Sequence, residues 1–524
     1  MRRKFLGVAI VAAVSVMGWA AEPWVSMDEP GHLVYRETQR GDHIVDFSYA
    51  GYMGGGVPIP MVPVIETVAP SGADDTTAIQ RAIDRVSTRP LKDGVRGTVK
   101  LQPGTFHCSG TININSSGVV LRGSGFDAAK GTTIEMTGGP HVAITIAGSE
   151  SVEVRGPTVH LVQEYVPSGT KTITVDDGAS IHKGDTIQIR RITTPEWLRF
   201  MGMDTLRRDG NPETWVGNSI TTYRKVASVD GGRLLLEVPL TDSYDRKYLP
   251  PEGAEVTKVD VRGDIANVGV EWLHITAPPR DVGFDEPLYQ TMVLTGVRDA
   301  WAREMIVDDV TEGIDAKADV ARVTFQAIIH RHTRTITSSA KPADFALRGT
   351  QLLVVYCGSK GDNESYVITG PRNQGPNVVL DSVFAGNGFI EPHQRWSTGF
   401  LVDSTSVPQG SIQFKNRGEM GSGHGWTVGW GVVWNSVASA FIIQNPPGSA
   451  NWSIGNKGRE LGEPMKRIGV RGRDLGPDLP MGYVESDGKP VYPQSLYREQ
   501  LAERLGVQAL KALEPVEQNG MLIK

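Results

Sequence analysis

Cysteine is nearly absent: Cys108 and Cys357 are the only two in 524 residues. Two cysteines cannot build a disulfide framework or a four-cysteine zinc site, leaving one bridge or two buried thiols. No excess of basic charge is present either. Lys and Arg number 53 against 59 Asp and Glu, a formal charge of −6. That excludes a globally basic nucleic-acid binder, and any anionic ligand would need a local basic cluster. Beyond the N-terminus no apolar run is long enough to span a membrane. Charged residues make up 21% and apolar residues 39%, which excludes an intrinsically disordered chain.

Glycine is plentiful, at 61 residues. With few helix-forming runs, that density predicts short strands joined by many turns. The N-terminus has the layout of a secretory signal peptide over 1–20. Arg2, Arg3 and Lys4 precede an apolar run from Phe5 to Met17, and Gly18-Trp19-Ala20 offers small residues for cleavage. The expected mature protein is secreted or periplasmic, has no membrane anchor and is a monomer.

A polar arm with a Gly/Pro-rich loop is expected over 21–60. A helix follows. Asp74-Asp75-Thr76 supplies its N-terminal cap, and Ala78, Ile79, Ala82, Ile83 and Val86 fall at helical spacing. The period then changes to short alternating segments such as Val99–Leu101, Ile112–Ile114 and Val119–Arg122. Similar segments recur about 20 to 31 residues apart as far as Phe441–Ile443. That period predicts a solenoid of three short strands per coil; a β-sandwich would not need so many recurrences or an opening helix. Cap and first coils are assigned to 61–162, an inserted β module to 163–250, the main coils to 251–458, and a tail with an amphipathic helix from Pro493 to 459–524. The insert's long loop carries Trp197, Phe200, Met201, Met203 and Trp215, which could stack on sugars or pack the insert against the coil.

The opening residues resemble a known superfamily. Gly72-Ala73-Asp74-Asp75-Thr76-Thr77-Ala78-Ile79, Leu101-Gln102-Pro103-Gly104-Thr105-Phe106 and Val120-Leu121-Arg122-Gly123-Ser124-Gly125 are similar to the first turns of pectate-lyase-like proteins of the pectin lyase fold. The resemblance implies an all-β, right-handed parallel β-helix whose N-terminal helix caps the hydrophobic end. It spans lyases, hydrolases, epimerases and tailspikes, so it implies no single reaction. Pro392–Gly399 and Asn416–Trp426 also resemble segments of secreted bacterial members.

Chemistry-bearing residues concentrate between 387 and 456. His424 lies in Gly-Ser-Gly-His-Gly, whose small residues leave the imidazole approachable, and histidine suits proton transfer near neutral pH. Arg395 and Arg417 could neutralise a uronate carboxylate and so acidify the neighbouring C–H, or could pair with Glu391 or Glu419. His393 would assist. Trp426 and Trp396 are sugar-platform candidates, as are the strand neighbours His330 and His332, which share a face by the period-2 rule. Asp308-Asp309 is a weaker carboxylate pair. Polygalacturonase-type hydrolases share a Gly-His-Gly, but their other signatures are missing here, and Thr311–Asp315 echoes one only in the wrong place.

The resulting expectation is a polysaccharide lyase acting on a uronate-containing glycan. His424, Arg395, His393, Arg417 and Glu419 are its catalytic candidates, and Trp426, Trp396, His330 and His332 its binding residues. A glycoside hydrolase using Glu419 with Asp403 or Glu391 is the second reading, and a non-catalytic glycan binder the third. No metal site is predicted, and Ca²⁺ is left open for want of a ligand cluster. An acidic groove free of arginine would favour the hydrolase; lack of a cleft near His424 would favour the binder.

Overall fold

The computed structural model describes residues 22–515, apart from 30, 128–129, 209–210, 213, 281, 284–285, 335–342 and 462–479. The signal segment 1–20 lies outside the described residues. The chain is a right-handed parallel β-helix: among the described residues, 28 strands join in one continuous parallel system.

Each coil contributes to three stacks. The first runs from Gly97–Leu101 through Val297–Asp308 to Asn451–Ile454, the second from Gly104–Cys108 to Lys457–Glu460, and the third from Ile112–Ile114 to Val437–Ile443. Register is set by the inward apolar row. Val99, Leu121, Val270, Ala302, Phe325, Val354, Val379, Val402 and Val433 stack on one another, all buried. A one-residue slip would turn each of them outward, so the pattern pins the pairing. Between the first and second stacks one residue per coil adopts a left-handed conformation: Trp272, Glu304, Ala327, Tyr356, Asp381, Ser404 and Asn435 have φ between 44° and 58°. Single residues of this kind turn the chain sharply, each at a strain of about 1–3 kcal/mol that the surrounding coils must hold.

The helix Thr76–Ser87 closes one end and buries Ile79, Ala82, Ile83 and Val86 on the core. Its entrance is held by Asp74, whose carboxylate accepts from the Thr76 amide at 3.0 Å, while Asp75 makes no side-chain cap bond. Cys108 and Cys357 are both free, buried thiols.

The inserted module is wider than 163–250. Its antiparallel sheet begins with Ser151–His160 and ends with Glu255–Arg262, which pair with each other, so both belong to it. Alternating burial in Thr186–Ile192 and Ser219–Asp230 gives it a small core of Ile187, Ile189, Val226, Leu234 and Val256.

The arm is not a loose strap. Val25–Met27 and Leu33–Tyr35 form a hairpin, and Ile44, Val45 and Phe47 are buried with the tail residues Leu496, Tyr497 and Leu501. Together they cover the outer face of the first stack, where Trp430, Trp434 and Trp452 lie. The tail helix spans Leu496–Leu505 and continues as a 3-10 turn, Val507–Leu513. No helix of the described residues is long and apolar enough to cross a membrane.

Candidate functional site

The corner that follows the third stack gathers most of the predicted site. The strand Phe389–Ile390 leads into Glu391, His393 and Arg395; the strand ending at Phe414 leads into Lys415, Arg417 and the turn 418–425. Parallel coils bring these segments together. The Arg395 amide donates to the His424 carbonyl at 3.0 Å, and Trp396 to Trp426 at 3.0 Å.

Arg417 is the hub. Its Nε lies 3.0 Å from Glu391 Oε1, and Nη1 donates to His393 Nδ1 at 3.0 Å and to the His393 carbonyl at 2.9 Å. A guanidinium can only donate, so His393 carries its proton on Nε2. Lys415 Nζ lies 3.6 Å from Glu391 Oε1 and also bonds Gln413. The His393 and His424 rings are 4.8 Å apart, tilted by 55°. Arg395 Nη2 donates to Ser422 Oγ at 3.0 Å and to the Ser422 carbonyl.

Burial and this basic company depress both imidazoles. His424 is pushed down to about 3 by burial, Arg417, His393 and Arg395, against an opposing pull from Glu391. His393 falls to about 4 by burial and Arg417, again opposed by Glu391. Burial alone would raise Glu391, but Arg417 and Lys415 outweigh it and hold it below its ordinary value. At neutral pH the corner therefore presents neutral imidazoles and an ionised Glu391 beside Arg417 and Lys415.

Several expectations are corrected by burial. The turn does not leave His424 approachable: the residue is 7% exposed, and a β-carbon on Gly421 would collide with its ring. Gly421 leaves room for the ring, and Gly425 leaves room for Met203 and Trp215 of the insert. Its Nδ1 is buried with no hydrogen-bond partner. Trp396 and Trp426 are not platforms. They are 2% and 3% exposed, and form a dry interface with Trp197, Met201, Met203 and Trp215 of the insert. Their indole N–H groups are satisfied across it, by Asp242 at 3.0 Å and by the Met201 carbonyl at 3.1 Å. Phe200 alone of that loop's aromatics is exposed, and it stacks on Tyr248.

His330 and His332 do share a face, with rings 6.4 Å apart and nearly parallel, but it faces inward. His330 is fully buried and His332 nearly so. His332 Nε2 lies 2.9 Å from Asp344, which also accepts from Ser359 at 2.5 Å and Asn363 at 2.9 Å. These are interior contacts, not a substrate surface.

The hydrolase carboxylates do not converge. Glu419 is exposed in the turn, outside any strand, and Arg417 pairs with Glu391 instead. Asp403 is buried under the tail, accepting from Ser495 Oγ and the Tyr497 amide at 2.8 Å each. Asp308 is engaged by Arg331 and His274, and Asp309 accepts from Thr333. Among the described residues no three His, Cys, Asp or Glu side chains are placed to hold a metal ion.

Lys415 was missed from sequence, having no motif around it. Arg224, Arg348 and Arg372, which line a groove on the same corner, were missed too.

No family model matches the chain, and no curated protein matches it. Similar solved structures include the tailspike protein gp49 from Pseudomonas phage LKA1, at 12% identity over 74% of this chain with a TM-score of 0.39. The tailspike of E. coli bacteriophage HK620, in complex with a pentasaccharide, is 10% identical over 83% of this chain with a TM-score of 0.40. The chain spans 64% of the first and 60% of the second. The Gp54 tailspike of Acinetobacter baumannii bacteriophage AP22, in complex with a capsular saccharide, is 12% identical over 80% of this chain and 73% of its own, with a TM-score of 0.27. None of these likenesses bears on the chemistry of the site.

Proposed function

We propose that this is a secreted polysaccharide lyase that cleaves a uronate-containing glycan by β-elimination at the corner of His424. The observation that carries the reading is the gathering of His393, His424, Arg395 and Arg417 on one corner, with His424 Nδ1 left without a hydrogen bond. Because the turn 418–425 covers the ring, the reading requires that turn to yield when substrate binds. β-Elimination needs both parts. Cations neutralise the C5 carboxylate and lower the acidity barrier at C5–H, and a neutral base takes the proton. The electron pair of the C5–H bond becomes the C4–C5 double bond, the C4–O bond breaks, and His424 returns the proton to the departing oxygen. His393, fixed by Arg417, orients the ring beside it.

The low basicity of His424 in the free protein fits this scheme. Burial is the largest cause of that depression, and Arg417, His393 and, least, Arg395 add to it. A uronate carboxylate arriving between those cations cancels their field and raises the imidazole toward its working range. A hydrolase fits less well: its general acid needs a raised pKa, Glu391 is held down, and Asp403, though raised to about 7, is buried under the tail. A non-catalytic binder is the second reading, favoured by the 7% exposure of His424.

The test is incubation of the mature protein with uronate and neutral polysaccharides, following unsaturated-uronate absorbance and new reducing ends together. The lyase gives both, and His424→Ala lowers the rate by about hundredfold or more. Reducing ends without absorbance mean hydrolysis. Binding without either signal makes the chain a binder.

A further inference from the structure

A groove of about 360 Å³ runs between the insert strand Ser219–Asp230 and the corner of the coils preceding the His424 cluster. Its lining includes Arg224, Arg348 and Arg372 and, among the described residues, no aspartate or glutamate. In a chain of net charge −6 that is a local inversion of sign.

Among the described residues, two of the three guanidiniums have no carboxylate partner. Arg224 is 4% exposed and donates to the carbonyls of Tyr223, Pro239 and Gly375, but among the described residues no carboxylate lies within ion-pair distance. Arg372 Nη1 reaches only the Val216 carbonyl, at 3.5 Å, again with no carboxylate among the described residues. Arg348 Nε does pair with Asp315 at 2.9 Å, but Asp315 is shared with Lys317 Nζ at 2.5 Å. Glu312 stands near this pair, yet burial and Asp315 push its carboxyl toward the neutral form. Tyr223, 39% exposed, offers a ring at the rim, its hydroxyl accepting from Gln188 at 3.0 Å. Asn373 and Gln374 add amide groups along the floor.

The groove's Arg372 lies on the coil next to the proposed site. The Arg372 amide donates to the Arg395 carbonyl at 2.7 Å, and the Arg395 amide to the His424 carbonyl at 3.0 Å. Adjacent coils are spaced by about 4.8 Å, so Arg372, Arg395 and His424 climb one corner in single-coil steps.

We propose that this groove is a subsite for a carboxylate-bearing sugar of the bound chain, lying along the β-helix axis from His424. The Arg372 fork, with Arg348 behind it, receives the carboxylate, and Tyr223 covers the apolar face of the pyranose. The inference names a substrate contact of the lyase reading and rests on that reading for its orientation. Its test reads binding rather than turnover.

The probes are polygalacturonate and alginate oligosaccharides and their carboxyl-reduced counterparts, titrated calorimetrically into wild type, Arg372→Ala and Arg372→Lys. Circular dichroism checks that the variants are folded. The expected result is affinity about tenfold weaker for Arg372→Ala with an acidic probe, an intermediate value for Arg372→Lys, and no effect of either variant with the reduced probe. Three results overturn the subsite: Arg372→Ala binding as wild type does, reduced and acidic probes binding wild type equally, or no probe binding at all. Arg372-dependent binding without any unsaturated product retires the lyase and keeps the groove. Elimination that proceeds with unchanged KM in Arg372→Ala retires the groove and keeps the lyase.

Discussion

Glu391 holds the basic corner together, and Glu391→Gln tests that claim. Its carboxylate is 5% exposed and faces two buried cations, Arg417 at 3.0 Å and Lys415 at 3.6 Å. Glutamine keeps the shape and an acceptor oxygen but removes the charge. Two cations then remain buried without a counter-ion, and breaking a buried pair in this way costs about 3–5 kcal/mol. The exposed Glu419, 28 residues along, is the control: Glu419→Gln stays within about 0.5 kcal/mol. The assay is guanidinium unfolding near neutral pH, followed by tryptophan fluorescence, since the insert's tryptophans pack against this corner. The paired variant Glu391→Gln/Arg417→Met recovers much of the loss, because the uncompensated charge is gone. Glu391 is held below its ordinary value of 4.5, so its contribution is full above that pH and disappears as acid takes the solution down through the folded value. A Glu391→Gln protein within about 1 kcal/mol of wild type, or indistinguishable from Glu419→Gln, refutes the network as a stabilising unit.

On the lyase reading, the acidic limb of kcat lies at higher pH than that of kcat/KM, since bound carboxylate raises His424 from about 3; coincident limbs contradict it. The buried Asp403 is raised to about 7, chiefly by burial, so the fold prefers its protonated form. Tail docking is therefore tightest below its ordinary value of 3.8 and weakens as pH rises through about 7. Hydrogen exchange of Leu496–Leu505 should quicken over that rise in wild type and lose the dependence in Asp403→Asn. His330 is buried with neither ring nitrogen bonded, whereas Asp344 anchors three neighbours. His330→Leu should change thermal stability by less than about 1 kcal/mol, and Asp344→Ala should lower it by about 3 kcal/mol or more; equal effects contradict the assignment.

The β-helix was legible because its core is a repeated local rule. Every coil places a Val, Leu, Phe or Ala at the same inward step, from Val99 to Val433, and the capping helix announces itself by Ile79, Ile83 and Val86. The insert's edges were not legible, since an antiparallel strand such as Ser151–His160 alternates much as a coil strand does. The tryptophans misled for a physical reason. A sugar platform and a dry interface both call for an aromatic ring with a polar handle, and the partners that decide between them are distant in sequence. Trp426 finds Met201 from 225 residues away, and Trp396 finds Asp242 from 154. For His330 the shared face with His332 was readable, but its direction was not, because Ile328 and Ile329 are both apolar and leave the parity open.

The grouping of His393, Arg395, Arg417 and His424 was anticipated only as a cluster in sequence; the coil makes it one in space. The same rule held an unused signal. Arg348, Arg372, Arg395 and Arg417 follow one another at 24, 23 and 22 residues, the length of a coil, so a solenoid sets them on one corner. A row of like charges on adjacent coils is repulsive and gains nothing for folding unless anions lie between its members. Glu391 serves Arg417 and Asp315 serves Arg348, while Arg372 and the nearby buried Arg224 have no carboxylate among the described residues. The charge left unbalanced lies along the groove, and on the proposed reading the carboxylates that balance it arrive with the substrate. The same carboxylates would then relieve the part of the His424 depression that the arginines add to burial, so that binding along the corner raises basicity at its end.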